Sequence, residues 1–240
     1  MKILALDSSG LVASVAVIEN DLTIAEYTIN HKKTHSQTLL PMLDEVKKMT
    51  ELDMASIDAI AIAAGPGSFT GLRIGSATAK GLGLALNIPI ISVPTVDALA
   101  YNMYGNDKII CPLMDARRNQ VYTGLYKFER NLNENQYELN TIINQCAVDL
   151  SEIINKINDL SKEVIFLGDG VAVYKEKIEE IIKVPFSFAP ASCNRQRAAA
   201  VGVLGSVLYK TGKIEKPADH APDYLRLSQA ERERQEKVQV

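Results

Sequence analysis

The chain has 240 residues, 47% hydrophobic and 23% charged, a balance that excludes a disordered tail or a low-complexity polymer. Its 26 basic residues stand against 29 acidic ones, a formal charge of −3, which excludes nucleic-acid binding by bulk electrostatics. Any contact with RNA has to be local or supplied by a partner. Cys111, Cys146 and Cys193 are far apart and form no CxxC pair, so neither a disulfide framework nor a zinc site is expected. No apolar run approaches the ~18 residues of a membrane span. Met1-Lys2 leads into a short apolar stretch that soon reaches Asp7, unlike a signal peptide. The expectation is a soluble cytoplasmic protein.

Ile3–Leu6 ends at Asp7-Ser8-Ser9-Gly10, and a second apolar run, Val12 to Ile18, follows. Two such runs around a Ser/Gly turn predict a β-hairpin. Thr34-His35-Ser36-Gln37 reads as a helix entry, since Ser and Thr hydroxyls can accept from free amides there; the helix extends to Met49, with Pro41 near its start. Ile57–Ala64 predicts a strand that stops at Gly65-Pro66-Gly67-Ser68, and a helix from Thr70 to Leu86 follows, closed by Asn87. Ile88–Val93 predicts a strand and Thr95–Tyr104 a helix. Strands alternating with helices argue for α/β architecture.

Past Gly105-Asn106-Asp107 the plan restarts. Ile109–Met114 ends in Asp115, the turn Ala116-Arg117-Arg118-Asn119 follows, and Val121–Phe128 alternates like a strand. Asn131 to Gln145 is polar and reads as a loop or an edge hairpin. Val164–Leu167 then ends in Gly168-Asp169-Gly170, much as the earlier strand ended in Gly65-Pro66-Gly67. Arg195 to Tyr209 reads as a helix and Gln229–Val240 as a solvated helix or frayed tail. The repeated plan suggests a duplication, with subdomains at 1–105 and 106–216 and a segment 217–240 that packs back on the first.

Gly65-Pro66-Gly67-Ser68-Phe69-Thr70-Gly71 lies between a strand and a helix, where free amides often hold anions. No Lys-Ser/Thr follows its last glycine, so it is not a P-loop, and Thr70 stands where the dinucleotide fingerprint needs glycine. A tight structural turn is the expectation. In the helix it opens, Gly71, Gly75, Ala79 and Gly83 recur every four residues, and Arg73, Ser76 and Lys80 make the only polar arc. Glycine inside a helix costs roughly 1 kcal/mol against alanine, so close approach of a second helix is expected in return. Leu39, Leu40, Met42, Leu43, Val46 and Met49 cover about half of the preceding helix, wider than one core stripe. Burial within the chain would account for both helices. The favoured expectation is a helix-bundle interface with another subunit, made by Leu39, Leu43, Val46, Gly71, Leu72, Gly75, Ala79 and Gly83.

Asp7 and Asp115 each close a first strand, where a carboxylate can orient a hydrated Mg²⁺ beside a nucleotide. With Ser8, Ser9, Arg73, Gly168, Asp169 and Gly170 they would frame a phosphate-binding cleft between the halves. The plainer alternative is that each aspartate closes its own turn. His31 and His35 lie four apart, but His31 precedes the helix and no suitable ligand flanks the pair, so no metal site is expected. There is no HExxH and no recognisable Ser-His-Asp order. No catalytic residue is assigned.

Ile3-Leu4-Ala5-Leu6-Asp7-Ser8-Ser9, His35-Ser36 before Leu39-Leu40-Pro41-Met42, the Gly65–Gly75 segment, Met114-Asp115-Ala116-Arg117-Arg118 and Tyr224-Leu225-Arg226 together resemble the bacterial TsaB (YeaZ) family over nearly the whole chain. The resemblance implies an actin-like ATPase (ribonuclease-H-like) fold of two similar subdomains, each a mixed sheet with flanking helices. It implies a role in forming threonylcarbamoyladenosine in tRNA beside the anticodon. There the catalytic paralogue, TsaD, transfers threonylcarbamoyl from its adenylate to the adenosine amine. TsaB-type proteins are its non-catalytic partner, and an ATPase, TsaE, completes the assembly. The family pairs through the two helices singled out above, with itself or with the paralogue.

The paralogue carries a His-x-x-x-His metal pair, whereas the comparable stretch here, Pro94 to Tyr101, has no histidine. The implied reading is a scaffold or activating subunit that is no enzyme by itself, lacks peptidase activity and holds no metal. It requires no cofactor, ATP being bound weakly or only in the complex. It forms a homodimer in isolation, meets tRNA through the complex, and Arg73 and Lys80 are placed to reach a nucleotide or tRNA phosphate near the joint. The alternative is a free-standing actin-like ATPase or small-molecule kinase.

Overall fold

The computed structural model describes residues 1–31, 34–133 and 135–226. The first half comprises β1 (Lys2–Asp7), β2 (Val12–Glu19), β3 (Leu22–Asn30), α1 (His35–Thr50), β4 (Ala59–Gly65), α2 (Phe69–Leu86), β5 (Ile90–Pro94) and α3 (Thr95–Tyr101). There follow β6 (Ile109–Asp115), β7 (Gln120–Asn131), β8 (Gln136–Asp149), α4 (Leu150–Leu160), β9 (Val164–Leu167), α5 (Asp169–Ile181), β10 (Phe186–Phe188) and α6 (Ala198–Lys210). The strands form two mixed sheets, ordered β3-β2-β1-β4-β5 and β8-β7-β6-β9-β10. β1 pairs antiparallel with β2 and parallel with β4, and β6 repeats this with β7 and β9. The same plan is built twice. The polar stretch that reads as a loop or an edge hairpin is the latter: edge strand β8 pairs antiparallel along β7.

Alternation along the central strands divides each between two cores. Leu4, Leu6, Ile60 and Ile62 meet Leu39, Met42, Leu43 and Val46 of α1 and Ala79 of α2. Ile3, Ala5, Ala59 and Ala61 on the other face meet Ala198, Val201 and Leu204 of α6. In the second half Cys111, Leu113, Val121 and Leu125 pack on α4 and α5, through Ile153, Ile157, Tyr174 and Ile178. The opposite face, with Ile110, Met114, Tyr122 and Tyr126, packs on Val96, Leu99 and Ala100 of α3.

The helices α3 and α6 therefore cross between the halves. Tyr126 donates to the Asp97 carboxylate at 2.6 Å, tying α3 to the second sheet. Ala198 N–H donates to the Ser14 hydroxyl at 2.9 Å and Ala199 N–H to Glu26 at 3.0 Å, tying α6 to the first. This corrects the expected subdomain 106–216: the chain leaves the second sheet after β10, and α6 already belongs to the first. The described tail continues there. Glu215 exchanges two backbone hydrogen bonds of 2.9 Å with Ile90. The Lys80 ammonium donates to the carbonyls of Ala218 and His220 at 3.0 and 2.9 Å. Gln229–Val240 lies outside the described residues.

Candidate functional site

The first hairpin is closed on itself. Asp7 is buried, and one of its oxygens accepts from the Ser9 N–H at 2.8 Å and the Ser9 hydroxyl at 2.7 Å. Burial raises its pKa, against the lowering effect of the Ser9 hydrogen bonds and of His35. The Ser8 hydroxyl donates to the Gly71 carbonyl at 2.8 Å, and Ser68 N–H donates to the Ser9 carbonyl at 2.7 Å. A Cβ on Gly71 would stand 2.0 Å from the Ser8 carbonyl oxygen, so glycine is required where α2 meets the hairpin. Ser68 caps α2 by accepting from Gly71 N–H at 3.3 Å. The glycine-rich run is thus a joint within the chain.

The residues expected at a subunit interface belong to this interior. Leu39, Leu43, Val46, Leu72 and Ala79 are buried in the first half's own core. Gly71, Gly75 and Gly83 are buried too: a Cβ on Gly75 would meet the Ser8 hydroxyl at 2.4 Å, and one on Gly83 would meet Pro217 at 2.8 Å. Close approach does compensate the helical glycines, but the neighbours are the β1–β2 hairpin and the tail, not a partner helix.

Between the halves lies a cleft of about 800 Å³, a volume suited to a small-molecule site. Of the residues expected to frame it, Ser9, Arg73, Asp115 and Asp169 line it. Asp7 and Ser8 are buried in the hairpin joint instead. Gly168 and Gly170 sit against the Leu113 carbonyl, where Cβ atoms would come within 2.1 and 2.9 Å of its oxygen. Asp115 accepts from Arg117 N–H at 2.8 Å and from the Tyr174 hydroxyl at 3.1 Å. Asp169 opens α5 with one buried oxygen that has no hydrogen-bond partner among the described residues, and burial raises its pKa.

The cleft's other cations, Arg117, Arg118 and Arg226, escape the sequence reading as site residues. Arg117, Arg118 and Asn119 adopt φ of 61°, 57° and 61°, three left-handed residues in succession. Each such turn residue costs an L-amino acid roughly 1–2 kcal/mol. The hairpin is closed by Ala116 N–H donating to the Gln120 carbonyl at 3.0 Å. The side chains of Arg117 and Arg118 are exposed and have no ion pair or hydrogen bond among the described residues. Arg226 donates to the Ala116 carbonyl, so the tail reaches across to the second half. Arg73 donates to the Tyr224 hydroxyl at 3.2 Å and lies over its ring, which stacks on Phe69 with centroids 4.5 Å apart. Arg117, Arg118 and Arg226 all fall in the motifs Met114-Asp115-Ala116-Arg117-Arg118 and Tyr224-Leu225-Arg226 that carry the family resemblance, but nothing in the sequence brings the two segments together. Among the described residues no three His, Cys, Asp or Glu side chains converge as a metal site would need.

A family model described as TsaD, tRNA N6-adenosine threonylcarbamoyltransferase, matches residues 23–234. The tRNA threonylcarbamoyladenosine biosynthesis protein TsaB of Bacillus subtilis is 34% identical over 234 residues, which is 96% of this chain and 96% of that relative. The chain belongs to the TsaB family. The TsaB protein of Escherichia coli is 31% identical over 174 residues, 71% of this chain and 72% of that relative. YeaZ from Pseudomonas aeruginosa superposes with a TM-score of 0.78 at 24% identity, covering 93% of this chain and 99% of that one, which shows the shared fold. An inorganic polyphosphate/ATP-glucomannokinase from Arthrobacter shares the two-lobed fold at a TM-score of 0.50 and 8% identity, over 86% of this chain and 98% of that one. The architecture is actin-like, and membership in the TsaB family assigns the chain to threonylcarbamoyladenosine biosynthesis in tRNA.

Proposed function

We propose that this chain is the non-catalytic subunit of the complex that forms threonylcarbamoyladenosine in tRNA, pairing with a TsaD-type catalytic paralogue through the outer side of α1 and α2. The observation that carries the reading is the outer face of α2. Ile74, Ala77, Gly81 and Leu84 recur at alternating intervals of three and four, the spacing of a helix-packing seam. Ala77, Gly81 and Leu84 are exposed, Leu84 by 62%. A Cβ on Gly81 would meet nothing within 4 Å. The two charges of α2, Arg73 and Lys80, are both engaged by the tail, which leaves the seam uncharged. Leu40 of α1, 53% exposed, extends the apolar surface.

The same face serves a second copy in isolation, and a TsaE-type ATPase joins the assembly elsewhere. Location with the tRNA in the cytoplasm is part of this reading. So is the lack of a cofactor: the Ser8 and Ser9 hydroxyls face Gly71 and Asp7, so the hairpin does not fit a triphosphate. The test is sedimentation of the chain alone and mixed with the paralogue. Gly81→Trp should abolish pairing while the circular dichroism of the folded chain is kept; undiminished pairing would refute the seam.

A further inference from the structure

We propose that the arginine rim of the cleft holds the phosphate backbone of an RNA strand, so that this subunit itself contacts the tRNA within the complex. The inference rests on the tRNA-modifying role proposed above and adds a site to it. The chain is acidic overall, so any RNA contact has to be local. The cleft supplies that locality: Arg73 from α2, Arg117 and Arg118 from the β6–β7 turn, and Arg226 from the tail all line it, with no lysine among them. Against these four stand two carboxylates, Asp115 and Asp169. Asp115 is bonded to its own turn and to Tyr174, and Asp169 is recessed.

Guanidinium groups present planar donor pairs that match phosphate oxygens, which favours arginine at such sites. Three details favour a strand crossing the rim over a nucleotide seated in the depth. The hydroxyls of the first hairpin are engaged within the chain, so the floor offers a triphosphate little. Arg73, Arg117 and Arg118 are exposed, and they come from separate segments on both walls. Arg73 and Arg226 are already oriented, by Tyr224 and by the Ala116 carbonyl, while Arg117 and Arg118 are without partners among the described residues. The left-handed turn fixes the backbone beneath that second pair, and a phosphate backbone would supply their missing counter-charge.

The experiment measures binding of an unmodified tRNA transcript to the full chain over a range of salt concentrations. Each phosphate neutralised by a cation contributes about 0.7–0.9 to the slope of log affinity against log salt. Changing Arg117→Gln and Arg118→Gln together should flatten that slope by about 1 per arginine, with the melting temperature unchanged because neither side chain is engaged. An unchanged slope, or no binding by the wild type at low salt, would overturn the proposal. So would displacement of the transcript by Mg-ATP at low concentration together with loss of ATP binding in the double variant, which would mark a nucleotide pocket. If cells lacking the chain keep normal threonylcarbamoyladenosine, the underlying role fails. If they lose it while the slope stays the same, only the RNA contact fails.

Discussion

Asp169 shows how one side chain's surroundings set its chemistry. One of its oxygens is buried without a partner among the described residues, and burial pushes its pKa above the ordinary 3.8, offset only in part by its backbone hydrogen bond and the Arg195 charge. The folded state therefore takes up this proton more readily than the unfolded chain. Stability contributed by the group falls as pH rises from the unfolded value through the raised folded one, and the full penalty is present above it. Asp169→Asn should be the more stable protein at neutral pH, and its advantage should vanish below about pH 4, where both states of Asp169 are protonated. Urea unfolding at the two pH values checks this; a variant less stable at neutral pH would show that the carboxylate is held charged. That an aspartate ends each first strand is legible in the sequence, but its role is not. Asp7 turns into its own hairpin and Asp115 borders the cleft, a difference made by local turn geometry. Arg226 was beyond reach, because its partner Ala116 lies 110 residues away.

The same limit governs the helix α2, whose two faces are both made of small and apolar residues. Periodicity marks the row Gly71, Gly75, Ala79 and Gly83 correctly as a place of close contact, yet it carries no information on which neighbour makes the contact. The seam that stays open, Ile74 to Leu84, is displaced around the same helix. Paired substitutions separate the faces. Gly71→Ala drives a Cβ toward the Ser8 carbonyl and should cost about 3 kcal/mol or more, the upper range for overpacking. Gly81→Ala meets open space and should gain about 1 kcal/mol from helix propensity. Chemical denaturation of both variants decides it, and equal effects would contradict the assignment of faces. Elsewhere α4 is absent from the predicted elements although Leu150, Ile153, Ile154 and Ile157 recur at helical spacing, and β3 and β8, as edge strands with many exposed side chains, carry weak apolar signal.

At the scale of the molecule the duplicated plan is legible, since strand, aspartate, turn and strand recur in order and both sheets follow it. The crossing of α3 and α6 is not, because an apolar helix announces burial without naming the sheet it covers. That crossing, with the tail running from β5 to the Ala116 turn, links the halves and sets the two walls of the cleft. The exposed face of α2 then lies on one surface and the arginine-lined rim of the cleft on another. On the proposal above, this chain acts in threonylcarbamoyladenosine formation through its exposed α2 seam. Nucleoside mass spectrometry of tRNA tests it after depletion of the protein and rescue with wild type or Gly81→Trp. The modified nucleoside should disappear on depletion and return only with wild type; its persistence at normal levels, or full rescue by Gly81→Trp, would contradict the account.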